Sequence, residues 1–579
     1  MAYRLTRRTV LAASAAGAAV PLASEAPATA AGRTYRLTVL GTSDTHGNVY
    51  NWDYYKDAEY DDSAHNDVGV AKLAALVNQI RDEPGVTTLV LDAGDTIQGT
   101  PLATYYAKQE PITETGEKHP MAKAMNVLHY DAVTLGNHEF NYGLPLLNLW
   151  IRQLGFPALA ANAVNVATGR PAFRPFVIKT VKVQGRELKV GILGLTNPGV
   201  AIWDRANVEG KLRFEDLVAT AAKYVPIIRR NGADLVIVSA HGGDSGTSSY
   251  GPELPNENPS ALIAERVPGI DAILFGHAHQ EVAQRFVTNT VTGEQVLLSE
   301  PSKWGQRLTR MDFELAREHG KWVVKGKSAK TLNTNTVAAD PDVLRAVRRQ
   351  HATTVAYVNQ VVARSTEELS AAESRYKDTP ILDYINRVQT DTVTAALAGT
   401  EYSGLRVLSI AAPFSRTAVF PKGDVKIKDV AGLYIYDNTL EAVVLTGAEV
   451  KAYLEYSAKY FVTLAPGAPV DPAAISDPQV PDYNYDVISG IAYDIDVSRP
   501  VGDRIVIDID PAERFVVAVN NYRRSGGGNF PGIVKPQVHN AQQEIRQLLI
   551  DWAQARGVID PADFFQPNWR LVRAGVPVF

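Results

Sequence analysis

Tyr35-Arg36-Leu37-Thr38-Val39-Leu40-Gly41-Thr42-Ser43-Asp44-Thr45-His46-Gly47 decides the fold. Tyr35–Leu40 is a short β-rich run that reads as a strand. It stops on a glycine and then delivers an aspartate and a histidine two residues apart. The pattern recurs downstream. Thr87–Leu91 stops at Asp92-Ala93-Gly94-Asp95, and Ala132–Leu135 at Gly136-Asn137-His138-Glu139. Ala233–Ser239 stops at Ala240-His241-Gly242-Gly243-Asp244, and Asp271–Phe275 at Gly276-His277-Ala278-His279. Leu188–Leu195 is a sixth run of this kind, and the amphipathic stretches Val70–Arg81 and Leu217–Arg230 lie between the runs. Strands alternating with helices argue for an α/β layered domain. In an open α/β sheet, residues just past the carboxyl ends of strands line one crevice. Five separate strand ends therefore deliver Asp, His and Asn to one place.

Five of the eleven histidines fall at these ends, namely His46, His138, His241, His277 and His279. An Asp-x-His or His-x-His pair lets two ligands approach a site from one turn, and adjacent glycines allow close backbone approach. The chain has no cysteine, so disulfides, thiolate metal sites and a cysteine nucleophile are excluded. Carboxylate and amide oxygens with imidazoles suit paired divalent ions. His65, His119, His129, His319, His351 and His539 fit no part of this pattern and read as surface or core.

Working outward, 579 residues with 45% hydrophobic and 21% charged content exclude disorder, collagen and coiled coil. A net charge of −5 gives no general basic field, so no nucleic-acid polymer is expected as partner. The N-terminus reads as a processing signal over residues 1–31. Arg7-Arg8 precede the alanine-rich apolar run Val10 to Ala23, and Ala28-Thr29-Ala30 suits a signal peptidase. This order resembles a twin-arginine export signal, which implies passage through the twin-arginine machinery as folded, metal-loaded cargo. No later stretch is long and apolar enough to span a membrane. The expectation is a soluble monomer, secreted or held at the cell envelope.

Pro341 to Val362 reads as one helix connecting two lobes. Beyond it the pattern changes to α+β, with helices at Pro380–Leu397 and Gly447–Tyr456 and strands at Glu441–Leu445, Ile491–Ile495 and Phe515–Asn520. Leu464 to Tyr483 is rich in Pro, Asp and Ala and reads as a surface loop. The expected division is 32–339 for the first domain, 340–363 for a linker helix and 364–579 for the second domain.

Asp-x-His, Gly-Asp, Gly-Asn-His-Glu, His-Gly-Gly and Gly-His-x-His, in this order, resemble the calcineurin-like metallophosphoesterases. The resemblance implies an α/β sandwich with two divalent ions, of the manganese, cobalt or zinc kind. It implies that Asp44, His46, Asp95 and His279 hold one ion, and that Asp95, Asn137, His241 and His277 hold the other. Asp95 would bridge them, and His138 would face the substrate as an acid or transition-state stabiliser.

The second half carries Tyr434-Ile435-Tyr436-Asp437-Asn438, Tyr483-Asn484-Tyr485-Asp486 and Asn520-Asn521-Tyr522-Arg523-Arg524-Ser525-Gly526-Gly527-Gly528-Asn529-Phe530. These stretches resemble the C-terminal domain of the secreted 5′-nucleotidases. The resemblance implies a nucleotide substrate whose base is clamped by Tyr436 and Tyr522. It also implies that Asn521 and the loop Gly526, Gly527 and Gly528 face the ligand, and that domain rotation gates binding. Stacking of this kind tolerates any base.

Two departures point to one branch. Gly136-Asn137-His138-Glu139-Phe140-Asn141 has Asn141 where 5′-nucleotidases usually carry an aspartate beside the catalytic histidine, and Gly528 stands where they carry an aspartate. An asparagine orients an imidazole by hydrogen bonding but does not stabilise its cation by charge. Together with Glu257-Asn258 and Trp304-Gly305, these features resemble the bifunctional 2′,3′-cyclic-nucleotide 2′-phosphodiesterase/3′-nucleotidases. The competing readings are a 5′-nucleotidase or nucleotide-sugar hydrolase of the same superfamily, and a secreted nucleotide-binding protein without turnover.

Overall fold

The computed structural model describes residues 34–246, 248–436 and 438–579. The expected export signal, 1–31, lies outside the described residues. The strand Tyr35–Thr42 pairs in parallel with Thr87–Asp92, which pairs with Ala132–Thr134. With Ala158–Leu159 and the antiparallel pair Arg307–Glu318 and Lys321–Asn333 they make a six-stranded sheet. A second six-stranded sheet has Arg186–Leu195, Leu235–Ala240, Ala272–Phe275 and Gln295–Pro301 parallel at its centre. Its antiparallel edges are Phe176–Val183 and Glu281–Thr288. The single crevice of one open sheet is thus replaced by the carboxyl ends of strands from two sheets.

The inner faces of the two sheets make one core. Leu37, Val39, Leu89 and Leu91 of one pack with Val190, Ile192, Ile237 and Leu274 of the other. The contact is close enough that a Cβ at Gly41 would strike the Leu274 side chain. The outer face of the first sheet packs under the helices Val70–Arg81, Pro120–Leu128 and Gly143–Gln153, and that of the second under Leu217–Arg230. The parallel strands read as near-continuous buried runs because both of their faces are covered.

The connecting helix is Pro341–Val358. Pro341 supplies a fixed φ at its first position, and the Asp340 carboxylate accepts from the Asp342 and Val343 N–H groups. It stops short of the 340–363 expected for it. Asn359 caps it, and the β-branched pair Val361-Val362 turns into the strand Val361–Ser365, antiparallel to Gly423–Lys426. A separate apolar core runs from Val362 to Leu571. Its main sheet orders Val487–Ser489, Arg406–Ala411, Arg514–Asn520, Thr439–Thr446 and Gln537–Glu544. No helix among the described residues is long and apolar enough to cross a membrane.

Candidate active site

Asp44 and His46 follow the strand Tyr35–Thr42, Asp95 follows Thr87–Asp92, and Asn137 and His138 follow Ala132–Thr134. His241 and the pair His277 and His279 follow Leu235–Ala240 and Ala272–Phe275 in the second sheet. The loops are stitched together by backbone bonds. Asp44 N–H donates to Gly94 O at 2.8 Å and His46 N–H to Asp95 O at 2.9 Å. The buried Glu139 carboxylate accepts from the N–H groups of Asp95, Thr96 and Gly136 and so ties the second and third loops together. A Cβ at Gly136 would collide with the Asp95 carboxylate, so only glycine permits this approach.

Two donor groups result. Asp44, His46 and His279 offer ligand atoms within 4.8 Å of one another, and so do Asp95, His241 and His277. In the second group the ring protons are already used on the outer side. His241 Nδ1 faces Ala93 O at 2.8 Å and His277 Nε2 faces Glu257 Oε1 at 2.7 Å. That turns His241 Nε2 and His277 Nδ1 inward, each 3.0 Å from Asn137 Oδ1. His241 Nε2 is also 3.0 Å from Asp95 Oδ2. Oxygens and imidazole nitrogens this close need positive charge among them, which a proton on His241 supplies in the metal-free protein and a divalent ion supplies when bound, so the donor set fits such an ion. His46 Nδ1 similarly faces Gln98 O at 3.2 Å, which turns its Nε2 towards His279 Nε2 at 3.0 Å.

The electrostatics agree. Burial pushes the Asp44 carboxyl up, but the His279 hydrogen bond and the His241 charge outweigh it and hold it at about 2. Burial lowers His46 to about 3, so its ring is neutral and able to ligate. At His241 burial is overcome by the Asp95 charge, which raises the group to about 10. The same field favours any positive charge placed among these atoms.

His138 stands beside this centre, with Nε2 4.0 Å from Asp95 Oδ2. Its Nδ1 is 2.6 Å from Asn141 Oδ1, and Asn141 Nδ2 donates to Asp204 Oδ1 at 2.9 Å. Burial lowers the His138 imidazole, but the Asp95 charge and the Asn141 bond outweigh it and raise it above its ordinary value. Burial raises Asp204 to about 6.

A cavity of about 2120 Å³ opens from these residues to the second half of the chain. His46, Asn137, His138, His277 and His279 line it from the first half of the chain, and Tyr436, Asn521 and Tyr522 from the second. Tyr483 lines it as well, with its ring centroid 6.4 Å from that of Tyr436. The two halves meet beside the cavity, where Asn521 Nδ2 donates to Trp203 O at 3.4 Å.

The calcineurin-like phosphoesterase pattern matches residues 37–281, and that of the 5′-nucleotidase C-terminal domain matches residues 361–535. A 2′,3′-cyclic-nucleotide 2′-phosphodiesterase/3′-nucleotidase of Haemophilus influenzae is 34% identical over 93% of this chain and 87% of its own length. The chain belongs to the calcineurin-like phosphoesterases that carry a 5′-nucleotidase C-terminal domain. The trifunctional nucleotide phosphoesterase protein YfkN of Bacillus subtilis is 35% identical over 92% of this chain, which spans 39% of that longer protein. The crystal structure of a 5′-nucleotidase precursor from Thermus thermophilus has the same fold, with a TM-score of 0.63 and 22% identity over 93% of this chain and 99% of that one. Calcineurin-like phosphoesterases use a dinuclear metal centre, and the two donor groups stand where this member would hold one.

Within this phosphoesterase, Gly526, Gly527 and Gly528 sit behind the cavity wall rather than along it. A Cβ at Gly527 would stand 2.5 Å from the Tyr522 ring, so this glycine makes room for the aromatic. Gly527 O and Tyr483 O both accept from the buried Arg523 guanidinium, at 2.8 and 2.7 Å, and Asp486 holds the same guanidinium. The glycine loop thus helps to hold Tyr522 and Tyr483 in place. Sequence reasoning missed Tyr483, Asp204 and the contact of Glu257 with His277. Tyr483 and Asp204 come from irregular segments without periodicity. The available signals were Tyr483 at the end of a Pro-rich loop and a lone Asp204 directly after Trp203.

Proposed function

We propose that this protein is a secreted phosphoesterase that opens 2′,3′-cyclic nucleotides to 3′-nucleotides and then releases nucleoside and phosphate. The observation that carries the reading is that members of both metal-donor groups and two tyrosines line the same cavity from different halves of the chain. A phosphate ester suits the first set of residues and the flat base of a nucleotide the second. Kinship with relatives named as 2′,3′-cyclic-nucleotide 2′-phosphodiesterase/3′-nucleotidases supports the branch. So does Asn141, which stands where the 5′-nucleotidases use a carboxylate.

Asp44, His46, Asp95 and His279 would hold one divalent ion, and Asp95, Asn137, His241 and His277 the other. Bound there, such ions supply an activated water and positive charge for the phosphoryl oxygens. The chain's own residues do the rest. Tyr436 and Tyr522 stack on the base, contributing about 1–3 kcal/mol per stacked base. That grip fixes where the ribose lies and leaves base identity open. His138, with one proton held on Nδ1 by Asn141, turns Nε2 to the reacting phosphoryl group, and in its imidazolium form, with a second proton on Nε2, it stabilises or protonates the oxygen that leaves. In the first step a water oxygen bonds phosphorus as the P–O2′ bond breaks, and the 2′-oxygen takes a proton. In the second, water again bonds phosphorus as the P–O3′ bond breaks, and the 3′-oxygen takes a proton. The 2′- and 3′-oxygens are neighbours on one ring, so one clamp serves both steps.

Residues 32–339 and 364–579 would be the two domains, and residues 1–31 the twin-arginine signal that sends the folded protein out of the cell. The test is hydrolysis of 2′,3′-cyclic AMP, 3′-AMP and 5′-AMP by the purified, manganese-loaded protein. We expect the first two to be cleaved well and 5′-AMP poorly. A strong preference for 5′-AMP overturns the branch. Binding of all three nucleotides with neither ring opening of the cyclic substrate nor phosphate release from the other two overturns the reading as an enzyme.

A further inference from the structure

We propose that Asp204 is a positioning residue for His138, acting through the side-chain amide of Asn141. The proposal rests on the reading above, in which His138 faces the scissile phosphate. Asn141 alone leaves its amide able to turn over, presenting either an oxygen or an NH2 group to the imidazole. A carboxylate accepts and never donates, so Asp204 settles the choice. With Nδ2 donating to Asp204 Oδ1 at 2.9 Å, the amide oxygen is turned to His138 Nδ1 at 2.6 Å. His138 must then carry its proton on Nδ1, which leaves Nε2 for the substrate side. In the reversed orientation an NH2 group would meet the ring, and the tautomer would be lost.

The surroundings favour this role over a structural one. Asp204 immediately precedes the short helix Arg205–Val208, yet its side chain makes no capping bond there. Among the described residues no lysine or arginine pairs with it, and its Oδ2 has no hydrogen-bond partner although it is buried. Asn207 Nδ2 donates to the Phe140 and Asn141 carbonyls, both at 3.0 Å, and so fixes the backbone beneath the amide. Trp203, the preceding residue, stacks on the His277 ring with centroids 5.5 Å apart. Its carbonyl accepts from Asn521 beside the base clamp. One short segment thus touches the metal-donor histidine, the substrate-binding half and, through Asn141, the reacting histidine. The carboxylate that Asn141 lacks is supplied one side chain further out.

The experiment compares the full-length manganese-loaded wild type with Asp204→Ala, Asp204→Asn and the double variant Asn141→Asp/Asp204→Asn. It reads kcat and KM for 3′-AMP, metal content, and ring 15N NMR of His138 in the metal-free protein. For Asp204→Ala we expect kcat to fall about 100-fold, with KM and metal content nearly unchanged and the Nδ1–H tautomer lost. Asp204→Asn, which still offers an acceptor to Asn141, should keep the tautomer and lose about tenfold in kcat. The double variant puts a carboxylate directly on Nδ1 and should recover most of the wild-type kcat. The proposal is overturned if Asp204→Ala keeps both the tautomer and kcat, or if the double variant is no better than Asp204→Asn. Should Asp204→Ala not fold, the isosteric pair decides alone. If the wild type cleaves no nucleotide, the functional reading fails, while the NMR comparison still judges the role of Asp204.

Discussion

Asp44, His46, Asp95, His277 and His279 all hold positive φ, between 46° and 81°, although none is glycine. Each sits where the chain must turn sharply past a strand end to aim its side chain back at the centre. Such conformations cost on the order of 1–3 kcal/mol each and persist only where neighbours over-determine them. Here the backbone bonds between loops and the Glu139 carboxylate do so. Glu257 plays a similar part for one ring, since its bond to His277 Nε2 fixes the tautomer that presents Nδ1. Removing such an outer partner weakens metal binding about 10–100-fold. Glu257→Ala should therefore shift the manganese titration by that factor while the protein stays folded, and an unshifted titration would show that Glu257 does not orient the ligand.

At the scale of elements, the helix Pro120–Leu128 starts with His119, whose ring accepts from the Met121 N–H. Burial lowers this histidine from 6.5 to about 3. The unfolded chain therefore binds a proton between those values that the folded one refuses. This contribution to stability is complete above 6.5 and shrinks as pH falls, by about 2 kcal/mol from pH 7 to pH 5. His119→Asn, which keeps a capping acceptor, should flatten that part of the urea-unfolding profile, and an unaltered slope would refute the assignment. The helix itself carries no such signature in the sequence, where His119 matches nothing. Legibility follows physics. Strands buried on both faces, such as Leu235–Ala240, stand out as apolar runs ending in Gly, Asp or His. The edge strand Glu281–Thr288 has a largely exposed pattern and shows no run at all. The six residues of the two candidate donor groups stand out in the sequence because each follows a strand end. Asp204 and Tyr483 do not, because irregular segments bring them to the cavity across 63 and 47 residues from Asn141 and Tyr436.

At the scale of the molecule, the cavity is lined by the metal-donor histidines from one half of the chain and by Tyr436 and Tyr522 from the other. Polar contacts between the halves include Lys108 to Glu544 at 2.9 Å and Gln109 to Gln547 at 2.9 Å. Recognition and chemistry should therefore separate on mutation. Tyr436→Ala should raise KM for 3′-AMP about tenfold or more and leave that for a simple aryl phosphate nearly unchanged, from the loss of about 1–3 kcal/mol of stacking. Equal effects on both substrates would show that Tyr436 does not hold the base. The account as a whole depends on two cations held together by Asp95. The direct test is the metal content of the purified protein and of Asp95→Ala, measured alongside hydrolysis of 2′,3′-cyclic AMP. The account predicts two divalent ions per chain in the wild type, with metal and activity lost together in the variant. A variant that keeps its full metal complement, or a wild type that hydrolyses the substrate at full rate after complete removal of metal, would contradict it.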